Sequence, residues 1–207
     1  MHRIYLIRHG LTAGNLQHRY VGRTDEPLCG EGVQKLYAGL FLNEHLQTIY
    51  TSPLLRCIQT AEQLFSGCPR KVIEDFRELD FGEFEYKNYE ELKDDARYQA
   101  FIDSGGAVDF PGAEPQKQFR ARVRAAFASC IEEIRTADDT ERTDVFVVHG
   151  GTIMAILDAY AWPHRPFFDW QVSAGEGFCC ECENGDAGIQ LTHIRRLSKA
   201  GADMSDT

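Results

Sequence analysis

Two histidines stand at the ends of short apolar runs, each followed by glycine. Residues 4–7 lead into Arg8-His9-Gly10, and residues 145–148 into His149-Gly150-Gly151. A third run, 48–51, leads into Ser52-Pro53, with Arg56 in the first turn of the helix that follows. A neutral imidazole is a nucleophile, and a guanidinium is a permanent cation with a fork of donors. If the three runs are parallel strands of an open sheet, their carboxyl ends bring His9, His149, Arg8 and Arg56 to one edge, where such sheets bind ligands. Helix N-termini there add free backbone N–H groups and partial positive charge. A compact cationic pocket of that make-up suits a phosphoryl group. Singly, a strand-end histidine is more often a satisfied structural residue, and a first-turn arginine a surface side chain. Together, each at an expected strand end, they favour the functional reading.

The elements that must position these residues alternate between strand and helix signals, which predicts an α/β layer fold. Val33, Leu36, Tyr37, Leu40 and Phe41 recur at helical spacing and predict an amphipathic helix. Ser52-Pro53 reads as an N-cap followed by proline at the first helical position, and the helix runs on through Phe65 to a stop at Gly67 and Pro69. Residues 71–74 form a weak strand. From 75 to 115 the pattern turns irregular, with short helices at 89–92 and 96–102, a loop from 104 to 112, and the look of an insertion folded over one edge of the sheet. Phe119, Val123, Ala126, Phe127, Cys130, Ile131 and Ile134 form the longest helical stripe, and residues 152–160 a further helix. Segments 178–183 and 189–194, separated by Asn184-Gly185, predict a closing hairpin with a loop longer than the tightest kind. One domain over 1–197 and a polar, frayed tail at 198–207 account for the chain.

Composition narrows the function. With 207 residues, 43% apolar and 26% charged, the chain can fill one full core, so a disordered protein is excluded. Thirty-two acidic against 22 basic residues leave a net charge of −10, which disfavours nucleic acid and anionic membranes as partners but not a small phosphorylated ligand in a local cationic pocket. No run approaches 18 apolar residues, so no membrane span is expected. Seven cysteines form no evenly paired framework and predict reduced thiols in a cytoplasm. Cys180 and Cys182 share one face of a strand and Cys179 the other, which reads as buried small apolar residues rather than a metal site. The aromatic stretch 162–170 reads first as an ordinary core patch, with a pocket lining as the alternative, and substrate identity is expected to lie in this stretch and in the 75–115 insertion. No strong carboxylate or Cys/His metal pattern is present, and no cofactor is expected.

Residues 6–15, LIRHGLTAGN, resemble the motif of the histidine phosphatase superfamily, the phosphoglycerate mutase-like enzymes. Four further blocks follow in the family's order: Arg19-Tyr20-Val21-Gly22 with Asp25, Pro27-Leu28 and Gly32; Ser52-Pro53-Leu54-Leu55-Arg56 with Gln59-Thr60-Ala61; Arg77-Glu78-Leu79-Asp80-Phe81-Gly82-Glu83-Phe84-Glu85; and Val147-Val148-His149-Gly150-Gly151. A lone Arg-His-Gly is weak; five ordered blocks are specific. The resemblance implies a three-layer sandwich with a mostly parallel central sheet flanked by helices. It implies that His9 attacks phosphorus to form a phosphohistidine, and that Arg8, Asn15, Arg56, His149 and Gly150 bind the phosphoryl oxygens. It places Glu78 as the acid that protonates the leaving alkoxide and then the base that activates water. Glu83 and Glu85 are neighbouring competitors that composition does not separate from Glu78. No metal is required.

Three departures stand out. Tyr86 replaces a glycine, which either reshapes the substrate entrance or fills a surface gap. Ala113 and Pro115 lie in the block where the family has Gly-Gly-Glu-Ser, so a serine contact is lost. Cys29 replaces a threonine at a helix start and weakens the cap. The expected activity is that of a metal-independent phosphomonoesterase acting on a small phosphorylated metabolite, in a branch similar to α-ribazole and broad-specificity phosphatases. The alternative is a phosphoglycerate mutase, which needs additional substrate-clamping segments without a clear counterpart at 75–115. A non-catalytic phosphate binder would dispense with His9 or Glu78, and both are present. A homodimer is the default expectation for an oligomer.

Overall fold

The structure is a computed structural model that describes residues 2–36, 46–104, 108–136, 142–185 and 188–198. The first apolar run is strand β1 (His2–Arg8), the second β2 (Leu46–Thr51), and the run before His149 is β4 (Arg142–Val148). With the short β3 (Arg70–Val72) and the hairpin β5 (Gly177–Gly185) and β6 (Gly188–Leu197) they form one six-stranded sheet, ordered β3-β2-β4-β1-β5-β6. Strands β3, β2, β4 and β1 are mutually parallel; β5 and β6 are antiparallel. The adjacent strands β2, β4 and β1 therefore end side by side. The ladder runs one residue past them, with His9 N–H donating to Val148 O (3.0 Å) and Ser52 N–H to Val147 O (3.2 Å).

The two-residue period of the strands divides the core. Ile4, Leu6, Tyr50, Phe146 and Val148 face helices α6 (Gln116–Thr136) and α7 (Gly150–Tyr160). Tyr5, Ile7, Ile49, Val145 and Val147 face α3 (Leu55–Leu64), where Cys57, Ala61 and Phe65 meet them. This is the expected three-layer α/β sandwich. All seven stripe residues of α6 are buried. Cys180 packs in the first layer with Cys182 against it, and Cys179 in the second, as their alternation requires; all seven cysteines are free thiols. No helix of the described residues is long and apolar enough to cross a membrane.

Several boundaries differ from expectation. Ser52 does not cap α3. The helix starts at Leu55 with Leu54 as N-cap, and Leu55 N–H donates to Asp25 Oδ1 (2.7 Å), so a carboxylate remote in sequence supplies the cap. The helix predicted from Val33 onward is α2 (Gly30–Lys35) and ends early. Leu36 turns extended, and its methyl group reaches to 3.2 Å from where a Cβ on Gly10 would stand. Residues 37–45, which carry the rest of that stripe, lie outside the described residues, as do 199–207 of the tail. Cys29 does cap α2, its sulfur accepting from Gly32 N–H at 3.3 Å. The closing hairpin has the tightest connection rather than a long one: Gly185 pairs with Gly188, leaving two residues between, because pairing continues through Asn184-Gly185.

The 75–115 segment holds α4 (Tyr89–Leu92) and α5 (Ala96–Asp103). It folds around a small aromatic core of its own, Phe84, Leu92, Tyr98 and Phe110, with Tyr20, Phe81 and Phe101 packed against it. Backbone bonds between Tyr20 and both Tyr86 and Lys87 join it to the loop that leaves β1, an inner strand. The apolar side of the segment meets Tyr20, and this seats the segment by the carboxyl end of β1.

Candidate active site

His9 is almost fully buried. Its Nδ1 lies 2.7 Å from Gly10 O, and a carbonyl can only accept, so Nδ1 carries the proton and Nε2 keeps its lone pair. Gly10 N–H in turn donates to Thr60 Oγ1 (2.9 Å), whose hydroxyl donates to Arg56 O (2.6 Å). The turn bearing His9 is thereby tied to α3, a role of Thr60 that spacing alone does not reveal.

Arg56 is completely buried. Its guanidinium donates to Thr24 O (2.7 Å) and Gly22 O (2.8 Å), and its Nε to His149 Nδ1 (3.2 Å). Arg8 donates through Nη1 to Val172 O (2.8 Å), and its Nε is a buried polar atom with no partner. Neither guanidinium appears among the ion pairs of the described residues. Arg56 is buried and Arg8 is half-buried with its Nε enclosed, and their hydrogen bonds go to neutral groups, with Glu78 acting on them only through its charge. Cations so placed are expensive unless an anion joins them, which marks an anion site.

His149 is also completely buried. Because Arg56 Nε can only donate, Nδ1 is the acceptor, and Nε2–H donates to Ser52 Oγ at 2.7 Å. Both ring nitrogens are therefore taken by protein groups. The ring orients Arg56 and Ser52, and it meets His9 edge-on with centroids 5.2 Å apart. The Ser52 side chain, a helix cap by its place in the sequence, belongs to this cluster instead.

Glu78 lies on the stretch after the short helical turn at Glu74–Phe76. Its Oε2 accepts from Gly151 N–H (2.9 Å) and its Oε1 from Leu79 N–H (2.9 Å). It thus caps α7, whose N-cap residue His149 makes no side-chain cap. The position beside it, Gly150, packs on Arg8, with Arg8 Nε 3.5 Å from where a Cβ would stand. Burial raises the Glu78 carboxyl above its ordinary value, opposed by the two backbone donors and by Arg56 and Arg8. A carboxyl raised in this way is suited to giving up and regaining a proton.

Its competitors are otherwise engaged. Glu85 accepts from Gly22 N–H, Thr24 N–H and the Thr24 hydroxyl, which shapes the loop over Arg56. Glu83 pairs with Arg97 at 2.8 Å on the surface. Asn15 forms a reciprocal cap with Thr12: Thr12 Oγ1 accepts from Asn15 N–H, and Asn15 Oδ1 from Thr12 N–H. That fixes the amide oxygen and leaves its amino group to donate. Tyr86 adopts φ +63°, a region glycine enters cheaply. Its hydroxyl donates to Glu26 Oε2 (3.1 Å), and Glu26 accepts from Gly14 N–H (3.1 Å). The ring fills the space over Gly14 and braces the loop that carries Asn15. Pro115 offers no hydroxyl, but its carbonyl accepts from Gln118 and Phe119, and Glu114 binds Arg122 through both oxygens at 2.7 Å.

A Cβ on Gly151 would overlap Glu78 Oε1. Gly151→Ala therefore displaces the carboxylate and lowers kcat by roughly 100-fold, as expected for an ångström-scale misplacement. The melting temperature changes little, since alanine favours the helix. Steady-state kinetics and a melting curve check both parts, and unchanged kcat would refute the placement of Glu78.

The buried rings also make stability depend on pH. Burial first, then Arg56, then His9 or Arg8 hold both histidines well below 6.5. The unfolded chain takes up a proton on each ring as the pH falls through about 6.5, and the folded chain does not. Stability is complete above that value and declines on acidification, by about 1.4 kcal/mol per pH unit for each ring. Glu78 acts oppositely: its folded carboxyl holds a proton where the unfolded one has lost it, offsetting part of one ring's effect between about 4.5 and its raised value. Thermal unfolding should shift to lower temperature between about pH 7.5 and 5.5. A rise across that window would contradict neutral buried rings.

Comparison with known proteins places the chain in a family. The profile of the histidine phosphatase superfamily (branch 1) matches residues 4–194. The chain is 33% identical to "Probable phosphoglycerate mutase GpmB" of Salmonella typhi over 174 residues, 80% of this chain and 79% of that one. It is 33% identical to the protein of that name from Klebsiella pneumoniae (strain 342) over 141 residues, 64% of each. Among solved structures, the α-ribazole phosphatase from Shigella flexneri superposes with a TM-score of 0.78 at 20% identity, covering 99% of this chain and all of that one, a likeness of fold. Phosphoglycerate mutase from Thermus thermophilus superposes with a TM-score of 0.67 at 26% identity, covering 95% and 98%. With the ordered motifs, the fold and the profile in agreement, this chain belongs to the histidine phosphatase superfamily, branch 1, whose members are phosphatases and mutases.

Proposed function

We propose that this enzyme is a metal-independent phosphomonoesterase acting on a small phosphorylated metabolite in a reducing, cytoplasmic setting. The observation that carries the reading is the neutral His9, with its Nε2 lone pair free, beside two arginines that have no carboxylate partner. The Nε2 lone pair attacks phosphorus and forms the P–N bond as the P–O bond to the alcohol breaks. Arg8 and Arg56 offset the negative charge on the phosphoryl oxygens, and the Asn15 amino group donates to them. The Glu78 carboxyl passes its proton to the departing alkoxide. As carboxylate it then takes a proton from the water that attacks the phosphohistidine, which releases inorganic phosphate and returns the neutral ring. His149 holds Arg56 in position.

The names of the curated relatives favour a second reading, phosphoryl return to bound product as in a mutase. One assay separates the two. The enzyme is incubated with 3-phosphoglycerate, and separately with p-nitrophenyl phosphate, each with EDTA, and products are followed by phosphorus NMR. Inorganic phosphate released without 2-phosphoglycerate supports the phosphatase. Formation of 2-phosphoglycerate faster than phosphate replaces it with the mutase. An acid-labile phosphoenzyme at His9 is expected either way.

A further inference from the structure

Glu78 forms part of the wall of two cavities, and their chemistry differs. One, of about 630 Å³, is lined by charged groups. Its arginines are already paired: Arg23 with Asp80 (3.3 Å), Arg77 with Glu74 (2.6 Å) and Arg122 with Glu114 (2.7 Å). Asp25, Asp75 and Glu78 also line it, so acidic groups outnumber cations there. The other, of about 320 Å³, has Glu78 and Gly151 on one wall and is otherwise mainly aromatic, with Phe81, Phe101, Phe110, Phe167, Phe168 and Met154. Among the described residues, no lysine or arginine lines it. Both readings of the 162–170 stretch hold in part: Trp170 is buried, and Phe167 and Phe168 line this cavity.

In-line transfer puts the leaving oxygen opposite the attacking nitrogen, next to the acid that protonates it. The alcohol part of the substrate must then leave the phosphoryl site on the Glu78 side. A second carboxylate or phosphate on that part would meet either paired arginines in an acidic basin or an aromatic wall beside Glu78, and neither compensates its lost hydration. An uncharged ring would instead bury apolar surface against phenylalanine faces. A volume of about 320 Å³ lies at the lower end of the roughly 300–1,000 Å³ typical of small-molecule sites.

We infer that the aromatic cavity bounded by Glu78 and Gly151 is the leaving-group site, and that the substrate is the phosphate monoester of an alcohol bearing an uncharged planar ring. This rests on the proposed phosphomonoesterase activity. The test uses three primary alkyl monoesters, so that leaving-group chemistry is similar: 2-phenylethyl phosphate, glycerol 3-phosphate and 3-phosphoglycerate. Wild-type kcat/KM should be at least about tenfold higher for the phenylethyl ester than for glycerol 3-phosphate, and lowest for 3-phosphoglycerate. Phe168 is 44% exposed, so its replacement should not unfold the chain. Phe168→Asp should collapse the phenylethyl-to-glycerol ratio, and Phe168→Leu should keep most of it. Hydrolysis of the esters without ring preference, a preference for 3-phosphoglycerate, or a ratio untouched by Phe168→Asp overturns the inference and leaves the phosphatase reading standing. No hydrolysis of any of the three overturns both.

Discussion

His9→Ala should lower turnover by on the order of 10⁵-fold while the chain stays folded and still binds inorganic phosphate. The loss is large because the imidazole forms the bond to phosphorus, and no other described group offers a free nucleophilic lone pair between the two arginines. The fold should tolerate the change because the ring makes only one hydrogen bond, to the adjacent Gly10 carbonyl. Strand β1 is held by the ladders to β4 and β5. Phosphate binding should persist because Arg8 and Arg56 are anchored by Val172, Gly22, Thr24 and His149, not by His9. Phosphate should therefore still raise the melting temperature of the variant. One proton-linked ring is also gone, so the acid side of its stability curve should flatten by about 1.4 kcal/mol per pH unit. Turnover retained in the variant would remove His9 from the mechanism. Turnover and phosphate binding lost together would mean the pocket had collapsed.

Glu78→Gln should separate the two proton transfers. General acid–base catalysis contributes about 10²–10⁴-fold, so hydrolysis of an alkyl phosphate, whose alkoxide cannot leave unprotonated, should fall by about 10³-fold. The p-nitrophenolate anion leaves without a proton. Its first-turnover release should stay close to wild type, followed by slow steady-state hydrolysis as water attacks the phosphohistidine without a base. A burst in the variant is the diagnostic result. A uniform loss on both substrates, with no burst, would assign Glu78 to positioning alone. The variant should also lose about 1–2 kcal/mol of stability. The carboxylate accepts from Gly151 and Leu79 with separate oxygens, and an amide can satisfy only one of those donors.

The sequence by itself determined the layered α/β fold, the membership of the family and the convergence of His9, Arg56 and His149 at the strand ends. The reason is local. Apolar runs of strand length, the seven-residue stripe of α6 and the His-Gly steps are read within a few residues, and parallel strands then bring their ends to one edge. What it left open depends on contacts between distant segments. Glu78, Glu83 and Glu85 are equivalent as a run of acids; only the fold gives Glu78 to the α7 N-terminus, Glu85 to the Gly22–Thr24 backbone and Glu83 to Arg97. Ser52 is a plausible cap by local rules, yet His149, 97 residues away, takes its hydroxyl, and Asp25 caps the helix instead. The commitment of both His149 nitrogens, the unpartnered Arg8 Nε and the aromatic cavity beside Glu78 likewise exist only once the segments pack. Local propensity decides which element forms. Tertiary packing decides which of several equivalent side chains is buried against which partner, and so which one carries a proton, a charge or a substrate ring.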